Sequence, residues 1–491
     1  MRNFCTCRTR EGIFSCFPPF PPTVVLEDFP VPIVPTVANG HSNAHPRPDR
    51  RGFLQAGMFG MAGLSLPQLL RHEAQAADSG RSVERTKSVI ILWMRGGPSQ
   101  HDMWDPKPDA PVEVRGEFNS IETKVPGIRI TELLPMTARI MDKWSIVRSL
   151  AHRVQDGNVG HGDGDQICFT GYPAGRDGQV NVMPSCGSYV LKQKQHLNPT
   201  MPAYVMIPKM IPGTEPAWLG SACKPFETML DPADPATPFV IPSLGLSNGV
   251  TSSQMSDRRQ LLKGFDTSVR HDGAAALDKF QTTAMDILTS QSTQAAFDLD
   301  KETQATRERY GMMAAFDPKD PMRCGAPNWA QRMLLARRLV EAGVRIVTVN
   351  LGWWDFHKLG FDSQRRGFLP RWDRAYSALI EDLDQRGLLD STLVVAWGEI
   401  GRTPVVNKEA GRDHWPYVMC GAFAGGGVKG GRVVGSSDAK GARPKDLPKV
   451  PHDVLATIYR HLEVDLSQQA IDHQGRPHMI LPQGNPIDEL F

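Results

Sequence analysis

Apolar runs that end in glycine recur along the chain, and in its second half they alternate with helical patterns. The clearest runs are SVIILWMRGG (88–97), VRIVTVNLG (344–352), STLVVAWG (391–398) and YVMCGAFAGGG (417–427). Continuous apolar character is typical of strands that are buried on both faces of a parallel sheet. Between them, NWAQRMLLARRLVEAG and WDRAYSALIEDLDQRG space their apolar residues along one helix face and stop at glycine. This alternation predicts an α/β fold with a mainly parallel central sheet flanked by helices.

The remaining segments extend this prediction. WSIVRSL (144–150) and MPAYVMIP (201–208) read as further strands, and DVLATIYRHL (453–462) reads as a late helix. Residues 252–320 are polar and helical in spacing, which predicts a helical excursion inserted in a single α/β domain over residues 82–485. A hydrophobic content of 40% is enough for a large core, and a net charge of +2 gives no reason to expect nucleic acid as a partner.

The N-terminal region predicts export. Arg50-Arg51, a modest apolar run and Ala74-Gln75-Ala76 follow one another in the order of a twin-arginine signal peptide, which we assign to residues 50–76. The apolar run is too short and too rich in glycine for a stable membrane span. We therefore expect the twin-arginine translocation machinery as a partner and a periplasmic or cell-surface location. The Pro-rich prefix 1–49 predicts a disordered segment, or a start site placed too early.

Cysteines give no support for a disulfide framework or a cysteine zinc site. Signal cleavage would leave five scattered cysteines with no C-x-x-C pair, namely Cys168, Cys186, Cys223, Cys324 and Cys420.

Metal-capable side chains follow the ends of three predicted strands. These are His101 and Asp102 after the first, Asp355 and His357 after the second, and Glu399, Asp413 and His414 after the third, in GEIGRTPVVNKEAGRDHWP (398–416). His452 and Asp453 open the late helix. Because ligands gather at the carboxyl ends of parallel strands, and carboxylates and imidazoles suit zinc, manganese or iron, the pattern favours metal binding. Each residue also has a simpler interpretation, as a loop hydrogen-bonding group, a turn or, for Asp453, a helix cap.

The order of these residues resembles the alkaline phosphatase and sulfatase superfamily. The chain is more similar still to one branch, the domain-of-unknown-function 1501 family. The segments that carry this resemblance span most of residues 88–465, namely GGPSQHDMWDPKP, TGY after His161, LLARRLVEAGVRIVTVNLGWWDFH, DLDQRGLLDSTLVVAWGEIGRTP, AGRDHW and HDVLATIY.

This resemblance implies two divalent metal ions, with zinc, manganese, calcium and iron all open. One ion would be held by Asp355, His357 and His452, and the other by Asp413, His414 and an acid such as Asp102. Glu399 would serve either ion or stand behind its ligands. Arg402 would pair with an anionic substrate, or serve as a structural cap on its loop.

The nucleophile departs from the sulfatase pattern. Sulfatases carry C-x-P-S-R before T-G, whereas this chain has H-G-D-G-D before Thr170-Gly171, which places His161 at the position of the nucleophile. His161 is open to four interpretations: a nucleophile, a general acid or base, a metal ligand, or the mark of lost catalysis.

The leading functional hypothesis is an exported metal-dependent hydrolase of phosphate or sulfate esters, acting on a small anionic ester or a sulfated or phosphorylated glycan. A second hypothesis is a non-catalytic, metal-braced protein that binds anionic glycans. A phosphosugar mutase is a weaker alternative, since such enzymes are mostly cytosolic. A dinucleotide enzyme is disfavoured because no G-x-G-x-x-G opens a helix after a strand.

Overall fold

A central sheet organises the chain. The computed structural model describes residues 86–156, 159–234, 238–241, 244, 252–265, 272–311 and 329–491. Within these residues the sheet has eight strands: β1 (Ser88–Trp93), β2 (Trp144–Leu150), β3 (Tyr204–Ile207), β4 (Phe226–Glu227), β5 (Ile346–Asn350), β6 (Thr392–Trp397), β7 (Met419–Ala424) and β8 (Val433–Val434). The six longest of them are the six strands that the apolar runs predict.

The sheet is mixed but mostly parallel. Its spatial order is β8-β2-β7-β6-β1-β5-β3-β4. All neighbours are parallel except β7, which runs antiparallel to both β6 and β2. The predicted α/β class with a mainly parallel sheet is confirmed. The direction of β7 was not predicted, and its cause is local: the segment between β6 and β7 contains no helix to carry the chain back across the sheet.

Helices cover both faces of the sheet. Those of seven residues or more are α1 (His161–Thr170), α2 (Cys186–Lys194), α3 (Ser252–Phe265), α4 (Asp272–Thr289), α5 (Gln291–Phe297), α6 (Gln304–Tyr310), α7 (Ala330–Glu341), α8 (Leu369–Gln385) and α9 (Pro451–His461). Alternate residues of β1 enter different cores: Ile90 and Leu92 pack with α7 and α8, whereas Val89 and Ile91 pack with α1, α2 and α9. Burial on both faces explains the continuous apolar run of this strand.

Shorter elements complete the fold. Short helical turns occur at Val112–Arg115, Pro135–Arg139, Gly360–Ser363 and Gln364–Phe368. In the part of the chain that the structure describes, four pairs of short strands lie outside the central sheet: Ser120–Glu122 with Arg129–Thr131, Gly401–Arg402 with His414–Trp415, Ser436–Ser437 with Pro444–Asp446, and Gln469–Ile471 with Pro477–Met479.

The described part of the predicted helical excursion contains α3 to α6, and its residues 266–271 and 312–320 lie outside the described residues. Buried polar contacts join α6 to the helices on the sheet. The hydroxyl of Tyr310 donates to Asp382 over 3.0 Å. The side chain of Arg337 is fully buried and forms ion pairs with Glu302 and Asp382, at 2.7 and 2.8 Å. Arg337 also pairs with Glu341 at 2.6 Å. Loss of a carboxylate partner would leave the buried guanidinium poorly compensated, so this network stabilises one arrangement of these helices.

Residues Glu84–Phe491 form one compact unit. The predicted prefix 1–49 and the predicted signal peptide at 50–76 lie outside the described residues. Among the described helices, none combines the length and apolarity that a membrane crossing requires. Cys168, Cys186, Cys223 and Cys420 are buried free thiols, and Cys324 lies outside the described part.

Candidate metal centre

The candidate site lies where β1, β5 and β6 end. Trp93 of β1 pairs in register with Asn350 of β5 and with Trp397 of β6. Because these three strands are parallel, the residues that follow them emerge together at one edge of the sheet. Asp355 and Glu399 follow β5 and β6, and the sequence predicts this edge as the place of the site.

Three imidazoles surround one carboxylate oxygen of Asp355. The Nε2 atom of His357 lies 2.9 Å from Asp355 Oδ1, and the Nε2 atom of His414 lies 3.2 Å from it. His161, the first residue of α1, places its Nε2 atom 3.5 Å from the same oxygen. The Nε2 atoms of His357 and His414 are themselves 3.2 Å apart. The structure therefore brings four of the predicted residues together from three separate stretches of sequence.

In two of these histidines, a carboxylate contacts the Nδ1 atom, the ring nitrogen that does not face Asp355. His161 Nδ1 lies 2.6 Å from Oε1 of Glu399, and His357 Nδ1 lies 2.7 Å from Oδ1 of Asp413. A carboxylate accepts a proton-bearing nitrogen, so these contacts assign the proton of each neutral ring to Nδ1. The lone pair on Nε2 of each neutral ring then points toward Asp355. This is the arrangement by which carboxylates orient metal-binding histidines.

Burial and charge act in opposite directions on the two central groups. Burial disfavours a charged His161, but its interactions with Asp355 and Glu399 outweigh burial and raise the pKa of His161 to about 9. Burial likewise disfavours a charged Asp355, but His161, His414 and the guanidinium of Arg402 hold the pKa of Asp355 far below its usual range. In the metal-free protein the Asp355 carboxylate is thus ionised, and protons or cations beside it are strongly favoured.

Glu399 is fully buried between the strand ends and α1. Its Oε1 atom also accepts the backbone N–H of Gly96 over 2.7 Å, while Oε2 has no hydrogen-bond partner among the described residues. Gly164 of α1 lies directly against this side chain, because a Cβ atom at residue 164 would sit 2.9 Å from Cβ of Glu399. A glycine inside a helix is thus explained by the close approach of α1 to Glu399.

Arg402 is buried, with its side chain only 1% exposed. Its Nε donates to the carbonyl of Gly97 over 2.9 Å, and one terminal nitrogen donates to the carbonyl of Arg412 over 3.1 Å. The other terminal nitrogen donates to the carbonyl of Gly96 and to Asp355. These contacts occupy all three nitrogens and position Asp355. The sequence left two interpretations of Arg402 open, a partner of an anionic substrate and a structural cap on its loop.

Asp102 and His452 lie apart from this cluster. Asp102 is buried and forms an ion pair with Arg412 at 3.2 Å, beside a small cavity that Gln364 also lines. His452 is buried in α9, where its Nε2 lies 3.2 Å from Gln483. Asp413 contacts the cluster through His357, whose Nδ1 lies 2.7 Å from the Asp413 carboxylate. Each of these placements depends on a tertiary partner, Arg412, Gln483 or His357, that spacing along the sequence does not reveal.

Three residues at the site were missed by the sequence reasoning. Arg95 donates from Nε to Asp165 over 2.7 Å, and its guanidinium lies 4.8 Å from the ring centre of Trp353. The ring of Trp353 is in turn 4.6 Å from that of His161. The available signals were weak: a charged residue that interrupts the apolar run 88–97, and an aspartate four residues after His161.

The donor set fits a metal ion. His161, Asp355 and His414 each offer one atom within 4.8 Å of the others, and in the described part of the chain no other group of three such residues does so. The Nε2 atom of His161 is buried and has no hydrogen-bond partner among the described residues. Imidazole nitrogens with one carboxylate oxygen suit zinc, iron or manganese.

Comparisons with known proteins agree with the sequence resemblance at the level of family. The family described as "Protein of unknown function (DUF1501)" matches residues 86–491. No curated protein matches the chain.

Solved structures show a weak likeness. Ps i-CgsB in complex with k-i-k-neocarrahexaose is 12% identical, with a TM-score of 0.35 over 78% of this chain and 73% of that chain. PsFucS1 sulfatase from Pseudoalteromonas sp. is 10% identical, with a TM-score of 0.33 over 82% of this chain and 71% of that chain. Phosphonate monoester hydrolase SpPMH from Silicibacter pomeroyi is 11% identical, with a TM-score of 0.31 over 82% and 75%.

Proposed function

Since this chain belongs to the DUF1501 family, whose description gives no activity, we propose its function from the site itself: a metal-dependent hydrolase of phosphate or sulfate esters. The observation that carries the proposal is the convergence of three imidazole Nε2 atoms on Asp355, with carboxylates behind two of the rings. Groups oriented in this way supply metal ligands without reorganisation when substrate arrives.

His161, Asp355 and His414 would hold the ion, with His357 beside them. A bound divalent ion supplies Lewis acidity toward an ester oxygen and makes water a better nucleophile at neutral pH. The chain's own residues prepare the site for it. Glu399 and Asp413 keep the protons of His161 and His357 on Nδ1, and Arg402 holds Asp355 in place. Of the four interpretations of His161, this geometry favours the metal ligand.

The first experiment measures turnover of aryl phosphates and aryl sulfates by protein reconstituted with zinc, manganese or iron. We expect turnover of at least one panel, and its loss in Asp355→Ala and His414→Ala. Asp300→Asn is the matched control, because the Asp300 side chain is 92% exposed and lies in the helical excursion. Turnover that survives both site variants would reject the proposal.

Metal analysis tests how many ions bind. The two-ion hypothesis needs a second ligand group around Asp413, His414 and Asp102, whereas Asp102 pairs with Arg412 and Asp413 contacts His357. We therefore propose one ion per chain. One equivalent in protein purified without chelators supports this, two would restore the two-ion hypothesis, and none would remove the basis for a metal enzyme.

A metal-braced binding protein for anionic glycans is the second candidate. It is favoured by His161, which replaces the cysteine motif of sulfatases before Thr170-Gly171. Binding of sulfated or phosphorylated glycans without turnover of any ester would support it. Absence of binding across such a panel would count against it.

We also propose export by the twin-arginine pathway, on the basis of residues 50–76. Cell fractionation of the full chain and of an Arg50→Lys, Arg51→Lys variant tests this step. Retention of the variant in the cytoplasm, with the unaltered chain outside it, is the expected result. Equal distribution of both would reject the assignment.

A further inference from the structure

Arg95 is fixed at the edge of the candidate metal centre by a buried carboxylate. Asp165 of α1 is fully buried and accepts from Nε of Arg95 over 2.7 Å through one oxygen. Its other oxygen accepts from Nε1 of Trp93 over 2.9 Å. Both oxygens of Asp165 therefore have a partner, and the one that accepts from Arg95 contacts the guanidinium through Nε alone.

The remaining part of this guanidinium is available to a ligand. The side chain of Arg95 is 19% exposed, and its two terminal nitrogens have no hydrogen-bond partner within the described residues. Its guanidinium carbon lies 4.8 Å from the ring centre of Trp353, which is half-buried and itself packs on His161. Trp353 thus connects the charged group to a proposed metal ligand through direct contacts.

The two arginines of the site differ in what their donors do. All three nitrogens of Arg402 donate to backbone carbonyls or to Asp355, so Arg402 is part of the framework. In Arg95, only Nε donates to another group of the protein, Asp165. A guanidinium held at Nε presents its two terminal nitrogens side by side, which is the geometry that pairs with two oxygens of one anion.

We propose that Arg95, braced by Asp165 and Trp353, forms an anion subsite beside the metal centre that binds the tetrahedral oxyanion of the substrate, a phosphate or sulfate group. This inference rests on the proposed ester hydrolase and deepens it, because it names the residue that selects the charged group. The aromatic face of Trp353 limits motion of the guanidinium, and cation–π attraction holds it in place.

The test is calorimetric titration of metal-loaded protein with inorganic phosphate and with inorganic sulfate, with acetate as a planar carboxylate. We expect Arg95→Gln to lower the affinity for the more tightly bound of the two tetrahedral anions roughly 10-fold to 100-fold, because a charge-assisted hydrogen-bonded pair is lost. Arg95→Lys keeps a charge for Asp165 but not the paired donors, so we expect an intermediate loss. The anion that the unaltered protein binds more tightly shows whether the subsite prefers phosphate or sulfate.

Arg460→Gln is the matched control, because the guanidinium of Arg460 on α9 also lies over an aromatic ring, 4.3 Å from the centre of Phe491, and belongs to a surface ion pair with Asp488. Metal content is measured for every variant, so that loss of the ion is not mistaken for loss of the anion. Arg95→Lys, which keeps a cation beside Asp165, covers the case in which Arg95→Gln fails to fold. Anion affinity unchanged in the Arg95 variants, or tighter binding of acetate than of both tetrahedral anions, would overturn the subsite.

Failure of the two proposals can be told apart. Anion binding that depends on Arg95, with no turnover of any ester, would reject the hydrolase and keep the subsite. Ester turnover with the same KM in Arg95→Gln and in the unaltered protein would keep the hydrolase and reject the subsite.

Discussion

His161 Nδ1 lies 2.6 Å from Oε1 of Glu399, so the first residue of α1 contacts the second residue after β6. The contact joins two parts of the chain that are 238 residues apart. It orients the imidazole so that Nε2 faces Asp355. The same buried carboxylate also accepts from the backbone N–H of Gly96 after β1, so one side chain links three elements around the candidate metal centre.

Replacement of Glu399 by glutamine should weaken metal binding while leaving the fold intact. Glutamine has the same shape, and its oxygen can still accept from His161 and from Gly96, but it lacks the charge that makes the imidazole a stronger ligand. Loss of such a carboxylate behind a ligand costs about 10-fold to 100-fold in metal affinity. Competition with a chelating dye measures the affinity. Glu381→Gln is the control, because Glu381 is a partly exposed carboxylate of α8 that pairs with Arg309 of α6. Identical affinities in both variants would contradict the role of Glu399.

Gly164→Ala should destabilise the protein, although alanine is the better helix former by about 1 kcal/mol. The new Cβ would lie 2.9 Å from Cβ and 3.0 Å from the carbonyl oxygen of Glu399. Overpacking of this kind costs about 1–3 kcal/mol of unfolding free energy. Urea unfolding followed by circular dichroism measures the loss. Gly160→Ala serves as the control, since the nearest atom to its Cβ is at 3.6 Å. A more stable Gly164→Ala variant would show that α1 does not approach Glu399 this closely.

The fold was predictable wherever burial acts on both faces of a strand. β1, β5 and β6 are central in the sheet, and their continuous apolar runs identified them without tertiary information. The glycines that end these runs marked the edge where Asp355 and Glu399 emerge. The antiparallel direction of β7 could not be read in the same way, because a buried strand has the same apolar pattern in either direction.

The site was predictable in its residue types but not in its pairings. Asp355, His357 and His414 follow strand ends, and the structure brings them together. Arg402, with a structural alternative, and Asp102 were both candidates from the sequence. Arg402 contacts Asp355 and backbone carbonyls, and Asp102 pairs with Arg412. Arg95 looked like an interruption of an apolar run, and only its contacts with Asp165 and Trp353 give it a role.

The stability of the metal-free protein should depend on pH through His161. Its pKa is raised from 6.5 to about 9 in the folded state, so the folded protein holds this proton more tightly than the unfolded chain. The resulting stabilisation is fully present below pH 6.5 and is lost as the pH rises through 9. Urea unfolding should therefore show that the free energies of unfolding of the unaltered metal-free protein and of the His161→Gln variant differ more at pH 6 than at pH 10. A difference that is constant, or that grows with pH, would reject the raised pKa.

Arg402→Met should be among the most destabilising substitutions at the site. It would leave the Asp355 carboxylate without its buried guanidinium, and three backbone carbonyls, those of Gly96, Gly97 and Arg412, would lose a donor. Removal of one partner from a buried ion pair costs about 3–5 kcal/mol of unfolding free energy. Arg460→Met is the matched control: Arg460 pairs with Asp488 at the surface, where a salt bridge is worth about 1 kcal/mol or less. Urea unfolding of both variants gives the comparison. Equal losses would mean that Arg402 is not the framework residue that its four contacts indicate, and would return it to consideration as a partner of the substrate.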